Sequence, residues 1–207
     1  MSYSNGNNQV NHCQGLFFDI VGITASSDGT DAIINILKEL PKDFPVPILI
    51  VKHLAIGYKS YFPLIFAHRT LLTVKEAENG EKVKSSVVYV APPDYHLVVN
   101  TDREISLIQT GKVNYVRPSA DVLLKSIAEN YQARSIAVIL TGADSDGAEG
   151  VRAIKQMGGT VIAQDEATSG VFGMPGSAIA TGCVDFILPI DQIAEAIVNL
   201  VHKGAIE

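Results

Sequence analysis

Cysteine and basic charge are both scarce in this sequence. Only two cysteines, Cys13 and Cys183, occur among the 207 residues, too few for a disulfide framework, so a reducing compartment is expected. Lysine and arginine number 16 against 22 acidic residues, for a net charge of -6 and a sequence pI of about 5.3. With no Lys/Arg cluster, this balance argues against a reader of phosphate backbones, and nucleic acid is not an expected partner. Long apolar runs are missing too. Stretches such as Phe17 to Ile23 and Ser135 to Leu140 are strand-sized, far short of the roughly 20 residues that cross a bilayer, so no membrane insertion is expected. Residues 1–15 lack the basic and apolar regions of a signal peptide and are taken as a flexible polar tail before a folded domain over 16–207. The chain is expected to be cytoplasmic.

What is abundant is apolar: 47% of residues are hydrophobic, 18% are charged, and the mean hydropathy is +0.21. Such a chain must bury much of itself. Short β-branched runs alternate with amphipathic segments, the pattern of βα units around a parallel sheet. Strands are expected at Leu16 to Ile23, Pro47 to Lys52 and Leu71 to Lys75. Ala32, Ile33, Ile36 and Leu37 form a helical stripe within Thr30 to Leu40, ended by Pro41, and Tyr58 to His68 reads as a second helix. Val87 to Ala91, His96 to Asn100 and Glu104 to Gln109 follow at close spacing with turn residues between them, which predicts an antiparallel meander. From Ser119 the alternation resumes, with strands at Ser135 to Thr141, Thr160 to Gln164 and Val184 to Leu188 and helices at Ser119 to Tyr131, Asp146 to Met157, a start near Pro175, and Ile190 to Val201. The expected fold is α/β: a doubly wound three-layer sandwich with a mostly parallel central sheet and an antiparallel hairpin or meander insertion.

Ligands of an open parallel sheet bind outside the carboxyl ends of its strands, so residues just past each strand carry the functional reading. The first strand runs out into Ala25-Ser26-Ser27-Asp28-Gly29, the second into Lys52-His53, and a later one into Thr141-Gly142-Ala143-Asp144-Ser145-Asp146-Gly147. A hydroxyl, an imidazole and a carboxylate from three strand ends are the parts of a nucleophile, a general base and an orienting acid. Each residue also has a plain structural reading: Ser26 as a helix N-cap, His53 as a hydrogen-bonded strand-end residue, and Asp146 as the cap of the helix after it. From the residues alone both readings stand.

Ile23-Thr24-Ala25-Ser26-Ser27-Asp28-Gly29-Thr30-Asp31-Ala32-Ile33 resembles the motif I-G-A-S-T-G-G-T-E-A-I of the CheB family, the protein-glutamate methylesterases of bacterial chemotaxis. Ile50-Val51-Lys52-His53-Leu54 is similar to V-V-Q-H-M, and Leu140 to Gly150 to L-T-G-M-G-x-D-G-A-E-G. Further matches are Val88 to Pro92 with His96, Arg117-Pro118-Ser119-Ala120-Asp121, and Ala163 to Ala167 leading to Val171-Phe172-Gly173-Met174-Pro175. The resemblance implies Ser26 as nucleophile, His53 as general base and Asp146 as orienting carboxylate. The backbone amides of Ser27 and Ala143 are the candidate oxyanion donors. It implies hydrolysis of glutamate γ-methyl esters on the cytoplasmic helices of chemoreceptors, with deamidation of receptor glutamines as a companion activity, and neither metal nor cofactor. The family's receiver domain does not fit in the short segment before the first strand, and is expected in trans or cut away.

Four positions depart from the family pattern. Thr24 and Asp28 replace glycines, Ala143 replaces methionine and Asp144 replaces glycine. They motivate an alternative, a catalytically weakened receptor-binding or scaffolding module of the same fold. At Asp28 the expectation is a first-turn carboxylate facing helix amides and pointing away from the oxyanion site. Other chemistries score poorly. Asp144-Ser145-Asp146 has the D-x-D look of haloacid-dehalogenase phosphatases, but Thr-Gly-Ala separates it from the strand and Ala148 stands where those loops carry Thr or Val. His12, Cys13, His53, His68, His96 and His202 lack paired metal-ligand spacing, and no G-x-G-x-x-G follows the first strand.

Overall fold

Most strands of the central sheet read as continuous apolar runs because helices cover both of its faces. A computed structural model describes residues 17–53, 60–100 and 102–203; the tail expected over 1–15, Leu16, Leu54 and the start of the helix expected at Tyr58 lie outside them. The chain forms β1 (Ile20–Ala25), α1 (Gly29–Leu37), β2 (Ile48–Lys52), α2 (Phe62–Ala67), β3 (Thr73–Glu76) and β4 (Val87–Val90). A hairpin of β5 (His96–Val99) and β6 (Ile105–Ile108) leads to α3 (Ala120–Tyr131), β7 (Ser135–Ile139) and α4 (Ala148–Gln156). Then come β8 (Thr160–Gln164), α5 (Gly173–Ala180), β9 (Phe186–Leu188) and α6 (Ile190–Lys203).

Seven strands pair in the order β3-β4-β2-β1-β7-β8-β9, each pair parallel. Alternate residues of one strand enter different cores. Val21 and Ile23 join Ile33, Ile36, Leu37, Ile197 and Val201 under α1 and α6. Ile20 joins Leu124, Ile127, Val151 and Ile154 under α3 and α4. At Gly22 an added Cβ would lie 2.8 Å from Ile127 Cδ1, so the missing side chain lets α3 rest directly on β1. This is the doubly wound three-layer sandwich.

The meander is corrected. Val87 to Val90 does not pair with β5 but lies between β2 and β3 as a parallel strand of the main sheet. Its Val88, Tyr89 and Val90 are all buried, a pattern of burial on both faces that close spacing in sequence concealed. Only β5 and β6 remain antiparallel, as a two-stranded sheet of their own. Other elements keep their places with shifted ends. β1 begins at Ile20, and α4 begins at Ala148 rather than Asp146 because Gly147 takes a left-handed φ of 103° that no helix continues through.

Sheet order also locates the site. From β1 the chain lays β2 beside it, places β3 at the far edge and returns to fill the gap between them with β4, then crosses through the β5–β6 hairpin and α3 to β7 on the other side of β1. The reversal between β1 and β7 opens a crevice at their carboxyl ends, where open α/β sheets bind ligands.

Candidate active site

Ser26, His53 and Asp146 leave three adjacent strands of this edge. Lys52 pairs with Ala25, and the His53 amide still donates to Ala25 O at 3.1 Å, so His53 continues the register and sits on the strand end beside Ser26. The Ser26 amide in turn donates to Thr141 O at 3.0 Å, extending β1 along the end of β7. Gly142 makes this approach possible: a Cβ there would fall 2.8 Å from Ser26 Cβ and 2.3 Å from Met174 Sδ, separations that atoms do not tolerate.

The N-cap reading of Ser26 does not hold. Asp28 occupies the cap of α1, and no side chain caps that helix. Among the described residues the Ser26 hydroxyl has no hydrogen-bond partner, and the amides of Ser27 and Ala143 donate to no protein acceptor. An oxyanion is stabilised by N–H groups that stay unused until it forms.

Asp146 is a cap, but not of its own helix. Only 1% exposed, its carboxylate accepts from the α3 amides of Ala120 at 2.5 Å and Asp121 at 3.2 Å. It also accepts from Ser119 Oγ at 2.7 Å and Asn114 Nδ2 at 2.9 Å. Burial alone would push its pKa up, but hydrogen bonds from His53, Asn114, Ser119 and the Ala120 amide outweigh burial and lower it. His53 Nε2–H donates to its Oδ2 at 2.9 Å. Behind this wall the Ser119 amide donates to Nδ1 of the fully buried His96, whose Nε2–H donates to Gly111 O at 3.0 Å, so one tautomer of His96 fixes the start of α3.

His53 Nδ1 is also engaged, by Asp144 Oδ2 at 3.2 Å. Burial favours the neutral ring, yet the hydrogen bonds and charges of Asp144 and Asp146 overcome it, and the pKa is raised to about 9. Residue patterns could not reveal Asn114, Ser119 and His96 as supports, since the contacts cross 32, 27 and 23 residues of chain. Asp144 left one sequence signal, a second carboxylate two residues before Asp146.

Asp28 corrects an expectation. Its φ of 58° is left-handed, as the glycine it replaces in the family pattern would allow, and this conformation turns the carboxylate away from the helix amides. It lies instead against Gly170, where an added Cβ would meet Asp28 Oδ2 at 2.7 Å. Its charge also acts on Lys52, whose pKa burial lowers and Asp28 partly restores. Thr24 is fully buried and donates to Val138 O at 3.4 Å.

Among the described residues no group of three His, Cys, Asp or Glu is placed to hold a metal ion. A groove of about 740 Å³ between α1 and α6, lined by Asn35, Lys38, Glu39, Asp191 and Glu195, shares no residue with the strand-end site.

A Rhizobium meliloti protein named "Protein-glutamate methylesterase/protein-glutamine glutaminase of group 3 operon" is 46% identical over 178 residues, 86% of this chain and 50% of its own. A Leptospira interrogans relative is 40% identical over 183 residues, 88% of this chain and 95% of its own. The chain thus spans about half the length of the first and nearly all of the second. The crystal structure of the Thermotoga maritima CheB methylesterase catalytic domain superposes with a TM-score of 0.86 at 42% identity, covering 89% of this chain and 99% of that one. The sequence profile of CheB methylesterases matches residues 21–197, and with relatives this similar over most of its length the chain belongs to the CheB methylesterase family.

Proposed function

We propose that the chain hydrolyses γ-methyl esters of glutamate side chains on the cytoplasmic helices of methylated bacterial chemoreceptors, releasing methanol. At the same site it deamidates receptor glutamines, and it acts in the cytoplasm through the domain spanning 16–207. The observation that carries the reading is His53 on the strand end next to that of Ser26, with its ring Nε2 held by a buried Asp146. The names of the relatives support the ester and amide substrates. Control by a phosphorylated receiver domain, in trans or covalently joined, belongs to the same reading.

Ser26 Oγ attacks the ester carbonyl carbon while its proton passes to His53. Because Nε2 is committed to Asp146, Nδ1 is the nitrogen that takes the proton. Asp146 then stabilises the imidazolium and holds the ring in place. Negative charge on the carbonyl oxygen falls to the Ser27 and Ala143 amides, each such donor commonly contributing ~3 kcal/mol to the barrier. The C–O bond to the methoxy group breaks, and that group leaves as methanol with the proton from His53. Water, deprotonated by His53, attacks the acyl-serine. The glutamate carboxylate departs, and the proton returns to Ser26.

Methanol release from methylated receptor membranes tests the scheme. Wild type should produce methanol, and Ser26→Ala should lower the rate by at least about 10³-fold with the fold intact. A serine-directed organophosphonate should label Ser26. An inert Ser26 in a folded protein favours the receptor-binding scaffold instead.

A further inference from the structure

A base for Ser26 needs a free ring nitrogen, and His53 has none: Nε2 is bound by Asp146 and Nδ1 by Asp144. The two carboxylates are not equivalent. Asp146 has a side chain 0% exposed and is tied to Ser119, Ala120, Asp121 and Asn114, so it cannot leave. The Asp144 side chain is 35% exposed. Apart from His53, its one described partner is the Asp146 amide, which donates to its Oδ1 at 3.0 Å. That bond closes a short turn within the loop and aims Oδ2 at the ring. The releasable nitrogen, Nδ1, is therefore the one Ser26 must use.

Resting on the esterase reading above, we propose that Asp144 is a latch on the general base: its carboxylate holds His53 Nδ1–H, keeps the imidazole charged and withheld from Ser26, and must let go before hydrolysis. A ring that donates from both nitrogens is an imidazolium, in keeping with a His53 pKa raised to about 9. At pH 7 only about 1% of such a ring is neutral. Among the described residues, Asp144 and Asp146 are the charged groups acting on the ring. Lys52, on the same strand, directs its ammonium to His53 O at 3.3 Å and feels the charge of Asp28. Lys59 lies outside the described residues.

The test uses the full chain with Asp144→Asn and Asp144→Gly, the second guarding against an asparagine that misfolds or bonds the ring anew. Two quantities are read: the His53 titration by imidazole NMR, assigned with His53→Gln, and the pH profile of kcat/KM for methanol release. Wild-type His53 should titrate near pH 9, with kcat/KM climbing between pH 7 and 9. Both variants should lower the His53 midpoint by about one unit or more. They should raise kcat/KM at pH 7 by roughly tenfold and converge on wild type above pH 9. A folded pair whose midpoint moves by less than about half a unit, or whose kcat/KM at pH 7 falls, overturns the latch. If wild type releases no methanol at any pH, the esterase reading fails, and the titration alone decides whether Asp144 holds the ring.

Discussion

The two sides of the strand-end crevice are built on opposite principles. On one side Asp146 is buried and accepts from α3 amides, a serine, an asparagine and a histidine. On the other side, among the described residues, the Ser26 hydroxyl and Ser27 amide of the turn after β1 and the Ala143 amide of the loop after β7 have no protein partner. A group that must only orient and carry charge can be fixed by as many bonds as fit. Groups proposed to bind a developing oxyanion have to be left unsatisfied until substrate arrives.

The contrast breaks most completely at Asp146. Asp146→Ala should cut methanol release by about 10³- to 10⁴-fold through loss of the oriented ring. It should also cost ~3–5 kcal/mol in denaturant unfolding, because it strands buried donors. A variant with wild-type rate would remove Asp146 from the mechanism. Gly142→Ala attacks the open side. Its Cβ cannot coexist with Met174 Sδ and Ser26 Cβ where they stand, so activity should fall about 10²-fold while stability drops by only ~1–3 kcal/mol.

A third measurement separates the sides by pH. The folded pKa of His53 is raised above its ordinary 6.5 to about 9. Its stabilising contribution is therefore complete below pH 6.5 and lost as pH rises through 9, a decline on the order of 3 kcal/mol. His53→Gln should flatten that window, and unfolding free energies measured at pH 6 and 9.5 decide it. Asp146, with its lowered pKa, acts in the opposite sense, its contribution fading only in acid.

Smaller effects fall on the supports. Ser119→Ala removes one of several donors to Asp146 and should cost ~1 kcal/mol and up to tenfold in kcat/KM. Asp28→Gly should be mildest. It relieves a left-handed backbone at a non-glycine residue and should raise Tm by a few degrees, for about 0.5–1 kcal/mol. No amide of the turn is bonded to the Asp28 carboxylate, so kcat/KM should change by less than about twofold. A tenfold gain would mean that Asp28 obstructs the oxyanion site after all.

The positions of Ser26 and His53 at strand ends were legible from hydrophobic runs alone, since a buried parallel strand announces itself locally and the residue after it is thereby placed at the edge; Asp146 follows at the same edge in the short loop between β7 and α4. The hydrogen-bond partners were not legible. Whether Asp146 caps α4 or α3 depends on how two helices packed on the same face are brought together, and the α3 amides it reaches lie 26 and 25 residues away. Val87 to Val90 illustrates the same limit. Its composition identified a strand, but membership of the main sheet depended on a gap between β2 and β3 that only the assembled fold contains.

The sequence by itself determined the βα alternation, the apolar faces, the family and the three strand-end residues, because these follow from local periodicity and motif. Tertiary structure alone decided the reversal at β1, the helix that holds Asp146, the left-handed turn at Asp28 and the second carboxylate on His53. Each of these depends on contacts between segments far apart in the chain or on a backbone conformation that packing imposes, and no local pattern encodes such distances.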